Sequence, residues 1–180
     1  MNPYHIIEKY YTKGSELYQT LVIHSENVAR KAKEIAQNNS HLEIDLTFLN
    51  EAALLHDIGI FLTHAPSIHC HGENPYIAHG YLGRQLLEQE GYPEHAKVCE
   101  RHTGCGLSVQ TIQDQELPIP HRDMLPVSME EQLICFADKF FSKSNQLDKE
   151  KSIEKIRKSM AKHGNEQVMQ FDAWCKLFNI

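Results

Sequence analysis

The amino-acid sequence predicts an all-α fold, and three features of the sequence support this prediction. Apolar residues recur at three- and four-residue spacings in several segments, which is the period of one helix face. Sustained alternation of apolar and polar residues, which would indicate a half-buried strand, is absent from the sequence. Ser, Asp or Asn residues precede several of these segments and Gly residues follow them, as is typical of helix starts and ends.

The first two predicted helices carry polar residues where apolar ones are expected. The first covers residues 15–37, and His24 lies on its apolar stripe. The second begins after Asp45, which suits an N-cap, and leads to the dipeptide His56-Asp57. Burying an imidazole or a carboxylate without a partner is costly, so these side chains need a common partner.

The middle of the chain begins with a loop over residues 61–74 that contains three histidines. Asn74-Pro75 then predicts a helix start, with Asn as the cap and Pro at the first helical position. This places His79 one turn into the helix. A further short helix carries His102 on its apolar face.

The C-terminal third contains a predicted irregular connection over residues 115–127, which is rich in Pro. Ser128 matches a capping box that opens a helix, and this helix sets Asp138 among apolar residues. Two amphipathic segments, separated at Gly164, complete the chain.

Length and composition predict a single domain over residues 1–180, with 41% hydrophobic residues to build its core. A net charge of −6 argues against a duplex nucleic acid as partner. A secretory signal pattern and an apolar run of the roughly 20 residues that cross a bilayer are both absent, so we expect a soluble cytoplasmic protein without a membrane partner. Five scattered cysteines without a C-x-x-C pair predict reduced thiols.

Histidine is unusually frequent, with twelve residues in the chain and seven of them between positions 56 and 102. Imidazole and carboxylate ligands suit borderline metals such as Fe, Mn, Co, Ni or Zn. A shared metal centre would compensate for the burial of all the polar residues on apolar helix faces. These candidates are His24, His56, Asp57, His79, His102 and Asp138.

The order of these residues resembles the HD-domain phosphohydrolase superfamily, whose signature is a His, a His-Asp pair and a distant Asp on helices. The matching segments are "VIHSENVA", "LLHDIGI" and "CFADKFF". A subgroup with two metals has two further histidines, which "YIAHGYLG" and "CERHTGCG" match in order. The resemblance covers roughly residues 15–145, the expected core of the domain, and leaves C-terminal helices over residues 146–180.

The resemblance implies an HD-domain, phosphodiesterase-like helical bundle that holds two divalent ions. One ion would bind His24, His56, Asp57 and Asp138. Asp57 would bridge to a second ion bound by His79 and His102. Two cations about 3.5–4 Å apart can polarise a phosphoryl oxygen and activate water.

One position departs from the family pattern. Members of the family often have Lys directly after HDIG, where it approaches the phosphate, and this chain has Ile60 there. Lys139 is the favoured replacement because it directly follows Asp138. Asp57 and His64, which lies seven residues after Asp57, are the other predicted catalytic residues. The candidate cations are Arg84, Arg101, Arg122, Lys139 and Lys143.

The expected function is a metal-dependent phosphohydrolase, in which a metal-bound hydroxide cleaves a phosphomonoester or phosphoanhydride of a small nucleotide-like molecule. The spacing and the "HTG" element resemble small predicted HD hydrolases and the bacterial branch that cleaves dinucleoside tetraphosphates. Three alternatives stay open: a nucleotide phosphodiesterase, a dinuclear-iron oxygenase, and a non-catalytic signalling module that binds metal or nucleotide. We expect specificity to lie in residues 61–74 and 104–127. The oligomeric state is also open, and a homodimer is possible.

Overall fold

The computed structural model describes residues 1–144 and 146–180, and helices dominate this part of the chain, as the sequence predicts. Four 3₁₀ turns, at residues 60–62, 66–68, 76–78 and 161–163, join them. None of the helices in the described residues is long and apolar enough to span a bilayer. The α-helices are α1 (Pro3–Tyr10), α2 (Glu16–Asn38), α3 (Leu46–Leu55), α4 (His79–Gln89), α5 (Pro93–Arg101), α6 (Val109–Asp114), α7 (Met129–Asp138), α8 (Ile153–Met160) and α9 (Asn165–Leu177).

Three of the predicted helix starts are confirmed by their caps. The side chains of Ser15, Asp45 and Ser128 each accept a hydrogen bond from a backbone N–H in the first turn of α2, α3 and α7. Such bonds satisfy donors that have no partner inside the helix. The capping box at α7 is only half formed, because the Glu131 carboxylate accepts from the N–H of Val127 and not from that of Ser128.

The predicted helix start at Asn74-Pro75 is wrong. These two residues form a short strand, and a 3₁₀ turn over Tyr76–Ala78 follows before α4 begins at His79. The Asn74 side chain does not cap a helix, because its amide donates to the carbonyl of Leu62 (2.9 Å). His79 is therefore the first residue of its helix and does not lie one turn inside it.

The histidine-rich loop holds a small sheet that the sequence did not predict. Strand β1 (Thr63–Ala65) lies between β2 (Cys70–His71) and β3 (Asn74–Pro75), antiparallel to β2 and parallel to β3. Strands of two or three residues are too short to show a period of two in the sequence. Gly72 is required here, since a Cβ at this position would lie 2.2 Å from the carbonyl carbon of Leu62.

The helices pack so that the segments carrying the predicted metal ligands touch one another. Helix α2 contacts α3 and α7, and α5 contacts α3, α4 and α7. Aromatic residues from α7 and from the C-terminal segment fill the main core, in which Phe136 lies 5.2 Å from Phe171 and 5.3 Å from Phe178, measured between ring centroids. All five cysteines are buried and free.

Candidate metal centre

The six predicted metal ligands converge in one buried place. His24 comes from the middle of α2, while the others lie at helix ends: His56-Asp57 directly after α3, His79 at the start of α4, His102 directly after α5 and Asp138 at the end of α7. Helix ends offer positions where the backbone changes direction, so short side chains from several helices can point at one centre. Each residue is less than one tenth exposed.

The first group of ligands consists of His24, His56, Asp57 and Asp138. His24 Nε2 lies 2.9 Å from Asp138 Oδ1 and 3.2 Å from Asp57 Oδ2. His56 Nε2 lies 3.1 Å from Asp57 Oδ2 and 3.5 Å from Asp138 Oδ1. One ligand atom from each of the four residues lies within 4.8 Å of all the others, so one cation could contact all four.

The second group consists of Asp57, His79 and His102. The Nε2 atoms of His79 and His102 lie 3.4 and 3.3 Å from Asp57 Oδ1, and 3.1 Å from each other. Asp57 thus directs Oδ2 to the first group and Oδ1 to the second. A carboxylate shared in this way is suited to bridge two cations.

Three of the imidazoles are oriented by the backbone. In each, Nδ1 lies within 2.6–2.7 Å of the carbonyl oxygen three residues earlier, so that Nδ1–H donates and Nε2 points into the centre as the atom that would bind a ligand. The pairs are His56 with Ala53, His79 with Tyr76, and His102 with Cys99. The Tyr76 ring also stacks on His79, with 4.7 Å between ring centroids.

Several polar atoms of the centre are buried without a hydrogen-bond partner. They include His56 Nε2 and Asp57 Oδ1, whereas Asp57 Oδ2 is paired with the ammonium of Lys143. Buried polar atoms are nearly always paired, and leaving them unpaired destabilises the fold. Nitrogen and oxygen ligands of this kind fit a borderline divalent metal, which would pair both atoms. The residues therefore fit the metal centre that the family resemblance implies.

Burial and neighbouring charges shift the pKa values of the histidines in the centre in opposite directions. Burial lowers the pKa of His79 to about 3 and also lowers the pKa of His102, so both imidazoles are neutral and ready to bind a cation. Burial alone would lower the pKa of His56 as well, but the carboxylates of Asp57 and Asp138 raise it to about 9. A metal in the first group must therefore displace a proton from His56.

Two lysines approach the carboxylates of the centre. Lys139 Nζ donates to Asp138 Oδ2 (2.8 Å) and to the carbonyl of His102 (3.1 Å), which fixes it in place. Lys143 Nζ lies 2.7 Å from Asp57 Oδ2 and 3.8 Å from Asp138 Oδ1. Although burial alone would raise the pKa of Asp57, the ammonium of Lys143 helps hold it well below its usual range.

The three candidate arginines form ion pairs with glutamates. Within the described residues, none of them forms an ion pair with a ligand of the centre. Arg84 and Arg122 both bind the buried carboxylate of Glu100. Arg101 donates to both oxygens of Glu131 (2.9 and 3.0 Å).

His64, a predicted catalytic residue, is not brought to the centre. Successive side chains of β1 alternate, so Thr63 is buried while His64 is exposed on the other face of the strand. Within residues 1–144 and 146–180, no hydrogen bond or ion pair joins His64 to any of the six ligands. A catalytic role for His64 stays a prediction that this geometry does not support.

A cavity of about 520 Å³ lies beside the centre and shares Asp138 with it. Of the two segments expected to set specificity, residues 104–117 contribute to its wall, whereas residues 61–74 do not. No sequence pattern indicated that the C-terminal helices complete this wall, since amphipathic patterns do not reveal which helix faces a cavity. The cavity residues that were not predicted include Tyr76, Ile156, Met160, His163 and Gln167.

Three known proteins are similar in sequence to most of this chain. An uncharacterized protein of Methanocaldococcus jannaschii is 30% identical over 148 residues, which cover 81% of this chain and 80% of that protein. The tRNA (cytidine(56)-2'-O)-methyltransferase of Thermoplasma volcanium is 25% identical over 88% of this chain, and that of Picrophilus torridus is 27% identical over 72%. The matches span only 42% and 34% of these two enzymes. No solved structure matches the chain significantly.

The family model for the HD domain matches residues 21–142, a range that contains all six clustered ligands. A match of this extent shows that the chain belongs to the HD domain family.

Proposed function

We propose that this protein is a metal-dependent phosphohydrolase that cleaves a phosphomonoester or phosphoanhydride of a small, nucleotide-like molecule. The observation that carries the proposal is the pair of ligand groups joined by the two oxygens of Asp57. An ordinary buried ion pair would not need four imidazoles around two carboxylates. The HD domain family, which comprises metal-dependent hydrolases, gives this arrangement a chemical context.

In the proposed enzyme, His24, His56, Asp57 and Asp138 would hold one cation, while Asp57, His79 and His102 would hold the second. Two divalent cations in such a site supply Lewis acidity towards a phosphoryl oxygen and activate water for attack on phosphorus. The protein contributes orientation: backbone carbonyls fix three of the imidazoles, and Lys139 fixes Asp138.

The cavity supports a substrate with an apolar or aromatic body and an anionic end. Its volume of about 520 Å³ falls within the range of roughly 300–1,000 Å³ that is usual for small-molecule sites. Lys139, Lys143 and Lys151 line it together with aliphatic residues such as Leu107 and Ile156. A nucleoside phosphate combines these two kinds of surface. Two relatives are named as methyltransferases of a cytidine in tRNA, which also favours a nucleotide as the substrate.

Metabolite profiling tests the proposal. Protein loaded with Mn²⁺ or Fe²⁺ is incubated with pooled nucleotides and phosphorylated metabolites, and the mixture is analysed by mass spectrometry. Asp57→Asn is the matched control, because it keeps the shape of the side chain and removes the bridging charge. We expect one compound to disappear with the native protein alone and its product to have lost a phosphoryl group.

Other outcomes contradict the proposal in distinguishable ways. A product that keeps its phosphate indicates a phosphodiesterase. Consumption of O₂ by the iron-loaded protein indicates an oxygenase. No change in any compound, from protein that carries about two metals per chain, would favour a binding module.

A further inference from the structure

The position where the family often has a phosphate-binding lysine cannot supply a cation in this chain. Ile60 is fully buried, and it packs in an apolar cluster with Leu55, Ile58 and Leu87. A charged side chain here would lose its hydration without gaining a partner. The phosphate of the proposed substrate therefore needs a cation from elsewhere in the fold.

Most of the other candidate cations already have firm partners. The three arginines are paired with Glu100 and Glu131. Lys139 Nζ is committed to Asp138 and to the carbonyl of His102. Lys151, which also lines the cavity, donates to the carbonyls of Phe141 (2.6 Å) and Lys139 (3.3 Å).

Lys143 differs from all of these because, within the described residues, its ion pairs are with the two carboxylates of the centre. Its side chain is 15% exposed and lines the cavity beside Tyr76. The backbone that leads to it is held in place, since Lys151 donates to the carbonyl of Phe141 through its side chain and to that of Phe140 through its N–H. The ammonium is thus held at the boundary between the carboxylates and the cavity.

The carboxylate oxygen that Lys143 contacts is also the one that faces the first ligand group. Asp57 Oδ2 lies 2.7 Å from Lys143 Nζ, 3.1 Å from His56 Nε2 and 3.2 Å from His24 Nε2. An ammonium and a divalent cation at one oxygen would repel each other strongly in a buried site. A cation bound by this group would therefore compete with Lys143 for Asp57.

We infer that Lys143 is the residue that binds the phosphoryl group of the substrate, and that its ammonium turns from Asp57 into the cavity when metal binds. The inference rests on the proposed function for the identity of the ligand. It assigns to Lys143 two successive anionic partners: the carboxylates in the metal-free protein and a phosphoryl oxygen in the loaded protein. The sequence favoured Lys139, which the structure shows holding Asp138.

Two binding measurements on the full-length protein test this inference without an assay of activity. Calorimetry measures the affinity for Mn²⁺ alone. Relaxation of the ³¹P signal measures the affinity of the Mn-loaded protein for inorganic phosphate. The variants are Lys143→Met, Lys143→Arg, and the matched control Lys155→Met, which removes an exposed lysine outside the cavity.

We expect Lys143→Met to bind Mn²⁺ more tightly, because the competing ammonium is gone, and to bind phosphate at least about tenfold more weakly, as for a lost charge-assisted hydrogen bond. Lys143→Arg should keep most of the phosphate affinity, and Lys155→Met should match the native protein in both. Thermal unfolding identifies any variant that does not fold. If Lys143→Met does not fold, Lys143→Arg is used for the test, and we expect its Mn²⁺ affinity to differ from that of the native protein. An unchanged Mn²⁺ affinity would then contradict competition for Asp57.

Unchanged phosphate affinity in folded Lys143→Met would overturn the inference, even if the native protein hydrolyses phosphates. Conversely, a loss of phosphate binding in this variant would support it, even if profiling finds no hydrolysis. Weaker Mn²⁺ binding in Lys143→Met would also overturn it, since Lys143 would then support the metal and not compete with it.

Discussion

At the scale of single residues, Asp57 and the imidazoles around it explain why polar groups lie in the core. Each carboxylate oxygen of Asp57 faces its own set of histidines. The order of His, His-Asp and Asp in the sequence was enough to predict which residues meet. It could not predict how the two oxygens of Asp57 divide between the groups, because side-chain rotation is not encoded in spacing.

The buried state of His79 leads to a prediction about pH. An unfolded His takes up a proton below about pH 6.5, whereas burial lowers the pKa of His79 in the folded protein to about 3. Between these values the unfolded state binds more protons, so the stability of the metal-free protein falls as the pH falls. His56, with its pKa raised to about 9, changes stability above this window.

His79→Gln should make this loss of stability shallower, by up to about 1 kcal/mol per pH unit. Urea unfolding in the presence of a chelator, between about pH 6.5 and 4.5, measures the slope. His64→Gln is the control, because His64 is exposed on β1, and it should keep the native slope. Equal slopes for all three proteins would contradict the assignment of His79 as a neutral buried imidazole.

At the scale of elements, local sequence signals correctly predicted the starts of helices that have side-chain caps. They gave wrong starts where contacts with distant residues determine the local structure. Ser15, Asp45 and Ser128 identified three helix starts correctly. Asn74-Pro75 has the same local chemistry, yet the side-chain amide of Asn74 donates to the carbonyl of Leu62, and the backbone of these two residues pairs with β1. Helices α1 and α6 were missed; α6 has only six residues, too few to establish a helical period.

Helix α9 is joined to the cavity wall through Gln167. Its amide accepts from the N–H of Cys105 (2.6 Å) and donates to the carbonyl of Gly106 (2.9 Å). Gln167→Ala should lower the free energy of unfolding by about 1–3 kcal/mol, the value of two such bonds, and leave the metal content unchanged. Gln170→Ala, an exposed change on the same helix, is the control. A loss of metal from Gln167→Ala would show that α9 supports the centre itself.

At the scale of the whole molecule, the site depends on segments that are far apart in the chain. Ligands come from α2, α4, α7 and the ends of α3 and α5, while the cavity wall also needs α8 and α9. The predicted set of ligands rested on a known order of residues, and the structure brings these side chains together. That they bind metal stays a prediction. The cavity wall depends on how the C-terminal helices pack, and the position of Lys143 depends on its ion pairs with Asp57 and Asp138. The sequence offers no pattern for either.

The most direct test of a centre bridged by Asp57 is electron paramagnetic resonance of the Mn-loaded protein, with the metal content measured on the same sample. We expect about two ions per chain with a spectrum that shows magnetic coupling between them, as for cations about 3.5–4 Å apart. His79→Gln should retain the ion of the first group and lose the coupling. A native protein that binds a single ion, or two ions without coupling, would contradict the bridged centre.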